Sequence, residues 1–221
     1  INADAITGAK LADNAINSEH YTDGSIDTAH IGDDQVTAAK ATGVGGLALI
    51  NNTTSASSVS DVVFDNVFTS TYKNYKIIGE YTAVNSSGNT TSRIRFRTGG
   101  GSGSNLTASE YNYHFHLQAA DSDTTVVKRG TGDSVLDWTT NQDDDSDRHG
   151  VRFDFTLFDP HSSGRTTISG HGMNTATDGN VIMFTGACSY KGTDSVTGID
   201  FFVGSGNIKD IAIKIYGIVD S

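Results

Sequence analysis

"GVRFDFTLFD", residues 150–159, alternates without a break: Val151, Phe153, Phe155 and Leu157 fall on one side of an extended chain and Arg152, Asp154 and Thr156 on the other. A period of two is the mark of a strand with one face in a core and one face polar. The pattern recurs outward in both directions. "SRIRFRT" (92–98) turns Ile94 and Phe96 inward and Arg93, Arg95 and Arg97 outward. "NYHFHLQ" (112–118) sets Tyr113, Phe115 and Leu117 against Asn112, His114, His116 and Gln118. "DIAIKIYGIV" (210–219) places Ile211, Ile213 and Ile215 on one face and Ala212, Lys214, Tyr216 and Ile218 on the other, so this strand is either central in its sheet or at a subunit contact. Further strands are expected at 61–65, 74–83, 124–129, 165–173, 180–190 and 196–203, separated by turn clusters such as "GGGSGSN", "PHSSG" and "ATDGN". Short strands, many turns and no convincing helix from residue 47 on predict an all-β, antiparallel sandwich, jelly-roll-like in its topology.

Composition agrees. The chain has 221 residues, 25 Gly and a single Pro, and a formal charge of −11 from 26 acidic and 15 basic residues. That balance argues against a duplex-binding surface, which needs clustered Lys and Arg. Cys188 is the one cysteine, so no internal disulfide can form. Alternation in "NVIMFTGACSYK" puts it beside Ile182, Phe184 and Tyr190, the place of a small buried hydrophobe rather than a nucleophile. No apolar run reaches the length of a membrane span, and no signal peptide is visible. The chain opens on Ile1 without an initiator Met and reads as the C-terminal part of something longer.

Residues 1–46 follow another rule. Ile1, Ile6, Leu11, Ile16, Tyr21, Ile26, Ile31 and Val36 fall at every fifth position, and the segments "AITGAKLADN", "AINSEHYTDG", "SIDTAHIGDD" and "QVTAAKATGV" stack as a ten-residue repeat. Neither a helix nor a strand has that period. Two anchors per ten residues cannot offset the entropy of ordering ten backbones in a single chain. Three identical chains wound about one axis, each supplying anchors at regular levels, solve the problem and define a fibre shaft, with Ile6, Leu11, Ile16, Tyr21, Ile26, Ile31 and Val36 facing the axis. A disordered polar linker and a short single-chain β-helix are the competing readings. The register breaks at "ATGVGGLALI", giving a shaft over 1–46 and a head domain over 47–221.

The repeat resembles shaft segments of tailed-bacteriophage fibre proteins. The domain running from "VVFDNVFTSTYKNYKIIGE" to "FFVGSGNIKDIAIKIYGI" is similar to C-terminal head domains of the same class. The resemblance implies a virion protein, a homotrimer attached to other virion proteins at its N-terminal side, whose head contacts a host cell-surface glycan or protein. No nucleic acid, membrane insertion or cofactor is expected. The alternatives are a structural virion protein without a receptor role (a head fibre or capsid decoration) and a polysaccharide-degrading tailspike. The chain shows no nucleophile elbow or phosphate loop, and is read as a non-enzyme.

Three candidate sites follow. Arg93, Arg95 and Arg97 form the basic cluster of an acidic chain, suited to anionic glycan groups or to acidic residues of a neighbouring subunit. In "DWTTNQDDDSDRHG" (137–150), Asp143, Asp144 and Asp145 offer oxygen ligands or a solvated acidic loop, and Trp138 offers either a sugar platform or a core side chain. His114 and His116 point to one side of a strand. Three copies about an axis would present six imidazole nitrogens to a transition metal, a use the resemblance also implies, against the alternative of two solvated histidines.

Overall fold

In a computed structural model of the chain, the described residues are 16–26, 28–32, 46–84, 90–121, 125–139, 150–176 and 180–219. The chain divides into two units, Ile1–Val44 and Gly45–Ser221.

Of the first unit, residues 16–26 and 28–32 are described. Two 3-10 turns, Ser18–His20 and Thr28–His30, stand ten residues apart. The first is closed by the His20 N–H donating to the Asn17 carbonyl at 3.0 Å, and the Asn17 side-chain oxygen lies 2.6 Å from His20 Nδ1. The side chain that meets the backbone of this turn is that of His20, whose Nδ1 lies 3.3 Å from the Asn17 N–H. The apolar members of the repeat, Ile16, Tyr21, Ile26 and Ile31, flank the turns and are all exposed. Ile6, Leu11 and Val36 lie outside the described residues.

The second unit is all β. Its strands are β1 (Leu47–Ser55), β2 (Asp61–Phe64), β3 (Asn74–Val84), β4 (Ser92–Thr98), β5 (Ser104–Asn105), β6 (Tyr111–Ala119), β7 (Thr125–Asp133), β8 (Leu136–Asp137), β9 (Val151–Phe158), β10 (Thr166–Thr175), β11 (Val181–Tyr190), β12 (Gly198–Val203) and β13 (Asn207–Ile218). No α-helix occurs among the described residues. Eight strands form one sheet in the order β1-β13-β3-β9-β10-β11-β6-β7, and five form the other, β2-β12-β4-β5 with β8 also pairing β4. Neighbouring strands are antiparallel throughout. The two sheets pack face to face as a sandwich.

Alternation delivers the core. Phe153, Phe155, Leu157, Ile77, Ile213 and Ile215 of the large sheet meet Ile94, Phe96, Ile199 and Phe201 of the small one, all fully or almost fully buried. Phe153 stacks on Phe201 across the gap, centroids 5.2 Å apart. Buried tyrosines tie the layers with their hydroxyls. Tyr81 donates to Ser92 Oγ at 2.6 Å, and Tyr111 donates to the Leu106 carbonyl at 2.9 Å while accepting from the Phe96 N–H. Burial raises the pKa of both phenols, so they remain neutral donors. Cys188 is buried, and burial pushes its thiol up to about 12, which makes it the inert hydrophobe expected of its position.

The large sheet makes room for its rings with glycine. Gly79 and Gly172 both lie cross-strand from Phe153, and Gly170 lies cross-strand from Phe155. A Cβ on Gly79 would stand 2.7 Å from the Phe153 ring and 2.8 Å from Ile213. The final strand β13 runs between β1 and β3, buries Ile211, Ile213 and Ile215 in the core and leaves Ala212, Tyr216 and Ile218 half-buried on the outer face.

Candidate functional site

The three arginines of β4 point outward from the small sheet, as the alternation requires, but all are paired within the chain. Arg97 grips Asp65 with two nitrogens, Nε to Oδ1 at 2.7 Å and Nη2 to Oδ2 at 3.1 Å. That fork raises the Arg97 pKa further, the Asp65 hydrogen bond being the main cause. Arg95 lies 3.3 Å from Asp200, its cross-strand neighbour on β12, and its guanidinium sits 4.0 Å above the Phe202 ring. Arg93 faces Asp137 of β8 at 3.7 Å, and Lys128 reaches the same carboxylate at 3.6 Å. Arg93, Arg95 and Arg97, expected to serve a glycan or a neighbouring subunit, thus already have acidic partners in the same chain. Arg95 and Arg97 each have a carboxylate of their own, whereas Arg93 shares that of Asp137 with Lys128.

Trp138 requires correction as a receptor contact. It is completely buried, with its indole edge-on to Phe153, Phe155 and Phe184 at centroid distances of 5.4, 5.0 and 4.9 Å. Its backbone N–H donates to the Ser92 carbonyl at 3.2 Å, fixing the segment after β8 between the sheets. No sugar ring reaches it. Asp143, Asp144 and Asp145 lie outside the described residues.

His114 and His116 are exposed on the outer face of β6, ring centroids 4.8 Å apart and inclined at 31°. Cross-strand from them on β11 are Ala187 and Thr185, and on β7 Arg129 and Val127. Among the described residues no group of three or more His, Cys, Asp or Glu side chains is placed to hold a metal. One chain thus brings two imidazoles together, with a guanidinium as neighbour.

A feature that the alternation passed over lies on the same outer face, spanning the neighbouring strands β13, β3, β9, β10 and β11. A depression of about 580 Å³ has an apolar floor of Ile78, Ala212, Met173 and Met183. Its rim carries the Glu80–Arg152 ion pair at 2.9 Å, the carboxylate of Asp154 (paired with Lys76), His171 and Lys214. Ile78 and Met183 are 41% and 65% exposed. The chain has two methionines, and they are cross-strand neighbours here, Met173 opposite Met183. Thioether side chains are flexible and polarisable and adapt to varied contacts. The volume falls in the range of ligand sites, roughly 300–1,000 Å³. The arrangement sets an apolar floor inside a charged rim. The signal was present in the sequence as apolar residues at polar-parity positions: Ile78 after Ile77, and Met183 between Ile182 and Phe184.

Comparison with known proteins gives no matching family model, no similar curated protein and no similar solved structure.

Proposed function

We propose that the chain is the shaft-and-head part of a trimeric phage fibre, a non-enzymatic virion protein whose head contacts the host cell surface. The observation that carries this reading is the recurrence in the first unit. Four apolar side chains at intervals of five, Ile16, Tyr21, Ile26 and Ile31, are 41–50% exposed, and a 3-10 turn repeats ten residues on. Apolar side chains that recur at a fixed interval and stay in solvent in one chain support a hydrophobic partner in another chain. The order β1-β13-β3-β9 in one sheet and β2-β12-β4-β5 in the other supports a jelly roll for the head, with β10, β11, β6 and β7 extending the first sheet. Within that head, the methionine-floored depression is the surface suited to a receptor.

Light scattering tests the assembly. The expected mass is three times 23.3 kDa, and a stable monomer at micromolar concentration overturns the shaft. Binding to host cells tests the role. Met183→Glu should reduce binding at least tenfold without lowering the melting temperature. Host cells that bind neither form make the chain a structural fibre without a receptor function.

A further inference from the structure

The turn that carries β9 into β10 has an unusual backbone at a chemically sensitive bond. Asp159 has a φ of 49°, in the left-handed region that residues with a side chain seldom adopt, and it is followed by Pro160, the one proline of the chain. A residue before proline is steered to extended backbone, because the pyrrolidine ring crowds its N–H and Cβ. Asp159 departs from both rules, and the backbone there is strained. Asn66 and Asp210 share a positive φ, and neither precedes a proline. Hydrogen bonds on each side hold the strain in place. The Asp159 N–H donates to the Lys73 carbonyl at 2.9 Å, and the Val196 N–H donates to the Pro160 carbonyl at 2.8 Å. Pro160 itself is buried, and Ser195 Oγ donates to the next carbonyl, that of His161, at 3.0 Å.

The carbonyl that joins Asp159 to Pro160 is polarised. Ser162 gives it two donors, Oγ at 3.1 Å and the backbone N–H at 3.4 Å. The Gly164 N–H donates to the same Oγ at 3.2 Å, which leaves the Ser162 hydroxyl proton for the Asp159 carbonyl. Two donors on one carbonyl oxygen are placed to stabilise negative charge that develops there. A nucleophile is at hand. Asp159 is exposed, and among the described residues no hydrogen bond or ion pair holds its carboxylate. An Asp carboxylate that bonds to the carbonyl carbon of its own residue closes a five-membered ring, so side-chain rotation alone brings it there.

We propose that this chain cuts itself between Asp159 and Pro160. A carboxylate oxygen of Asp159 adds to the Asp159 carbonyl carbon, and the oxyanion forms against the two donors of Ser162. The C–N bond to Pro160 then breaks, its electron pair stays on nitrogen, and that nitrogen, now a secondary amine, takes a proton from water. Water opens the cyclic anhydride left on residue 159, which becomes an Asp with a free α-carboxylate. One water is consumed overall, and nothing is oxidised or reduced. Ser162 touches the reacting oxygen and is the catalytic residue of this single turnover. Release of the left-handed conformation favours the cut over rejoining. The cut head stays folded, because β9 remains paired with β3, β10 with β11, and the two with each other. This self-cleavage goes beyond the fibre reading and does not rest on it.

Mass spectrometry of the full chain, kept folded or unfolded in urea in the same mildly acidic buffer, tests this. The folded chain should yield fragments 1–159 and 160–221 at least tenfold faster than the unfolded chain, in which the Asp–Pro bond has only its inherent lability. Asp159→Gly accepts the left-handed backbone and lacks the nucleophile, so it should stay whole. Ser162→Ala should slow the cut at least fivefold at an unchanged melting temperature. Equal rates in the folded and unfolded chain overturn the proposal, as does a folded chain that stays whole. A cut that persists in Asp159→Gly, or that proceeds at the wild-type rate in Ser162→Ala, overturns it equally.

Discussion

Asp200 is on the outward face of β12 and yet exposes no surface, because Arg95, stacked on Phe202, covers it. Burial raises its pKa from the usual 3.8 to about 6, against the opposing pull of Arg95. A carboxyl whose folded pKa exceeds its unfolded one keeps in the folded state a proton that the unfolded state has lost. Its contribution to stability is therefore largest below pH 4 and declines as pH rises through 6. The decline is on the order of 2 kcal/mol across that window. Urea denaturation at pH 4.5 and 7 should show a difference between wild type and Asp200→Asn of that sign, the variant losing less stability as pH rises; equal slopes would mean that Asp200 titrates normally. Trp138 makes a second prediction at this scale. With its indole enclosed by three phenylalanines, Trp138→Ala should cost about 3–5 kcal/mol in the same assay, a core value and not that of a surface platform.

Gly79 of β3 shows how an element accommodates its neighbours, since its missing side chain is the space that the Phe153 ring occupies. Gly79→Val should destabilise by about 1–3 kcal/mol by driving Phe153 and Ile213 apart, whereas Gly101→Ala, with nothing within 4 Å, should be close to neutral in thermal melts. Strands were the legible part of this sequence. The faces read from 92–98, 112–118, 150–159 and 210–219 are those the sandwich buries, because one-sided burial forces a period of two. β1 was not resolvable as a strand in its own right: LALINNTTS has Asn and Thr on both faces, and its bulge shifts the phase. The two-residue strands β5 and β8 are too short to show a period. Partners were less legible than faces. Arg93, Arg95 and Arg97 visibly point outward, but the acids that meet them, Asp137, Asp200 and Asp65, come from β8, β12 and the segment after β2, and no local spacing relates them. Trp138 was misleading for the same reason, since its place depends on glycines of a distant strand leaving room for the rings around it.

The two units differ in where their apolar surface goes. In the head, alternating residues close on themselves and the core is complete in one chain. In the repeat, Ile16, Tyr21, Ile26 and Ile31 remain in solvent in one chain. A substitution that separates these cases is a carboxylate at one anchor. Under three-fold assembly, Ile26→Asp places three charges at one level of the shared axis, and burying each without a partner costs several kcal/mol. Thr22→Asp, at an exposed polar position of the same repeat, adds the same charge without burying it. Ile26→Asp should therefore lower the mass in light scattering and open the first 44 residues to protease, while Thr22→Asp leaves both unchanged. The melting transition of the head should be the same in each, since none of these residues belongs to its core. Equal protease sensitivity of the two variants and wild type would make residues 1–44 a tether, and the spacing of five would then have no counterpart in packing.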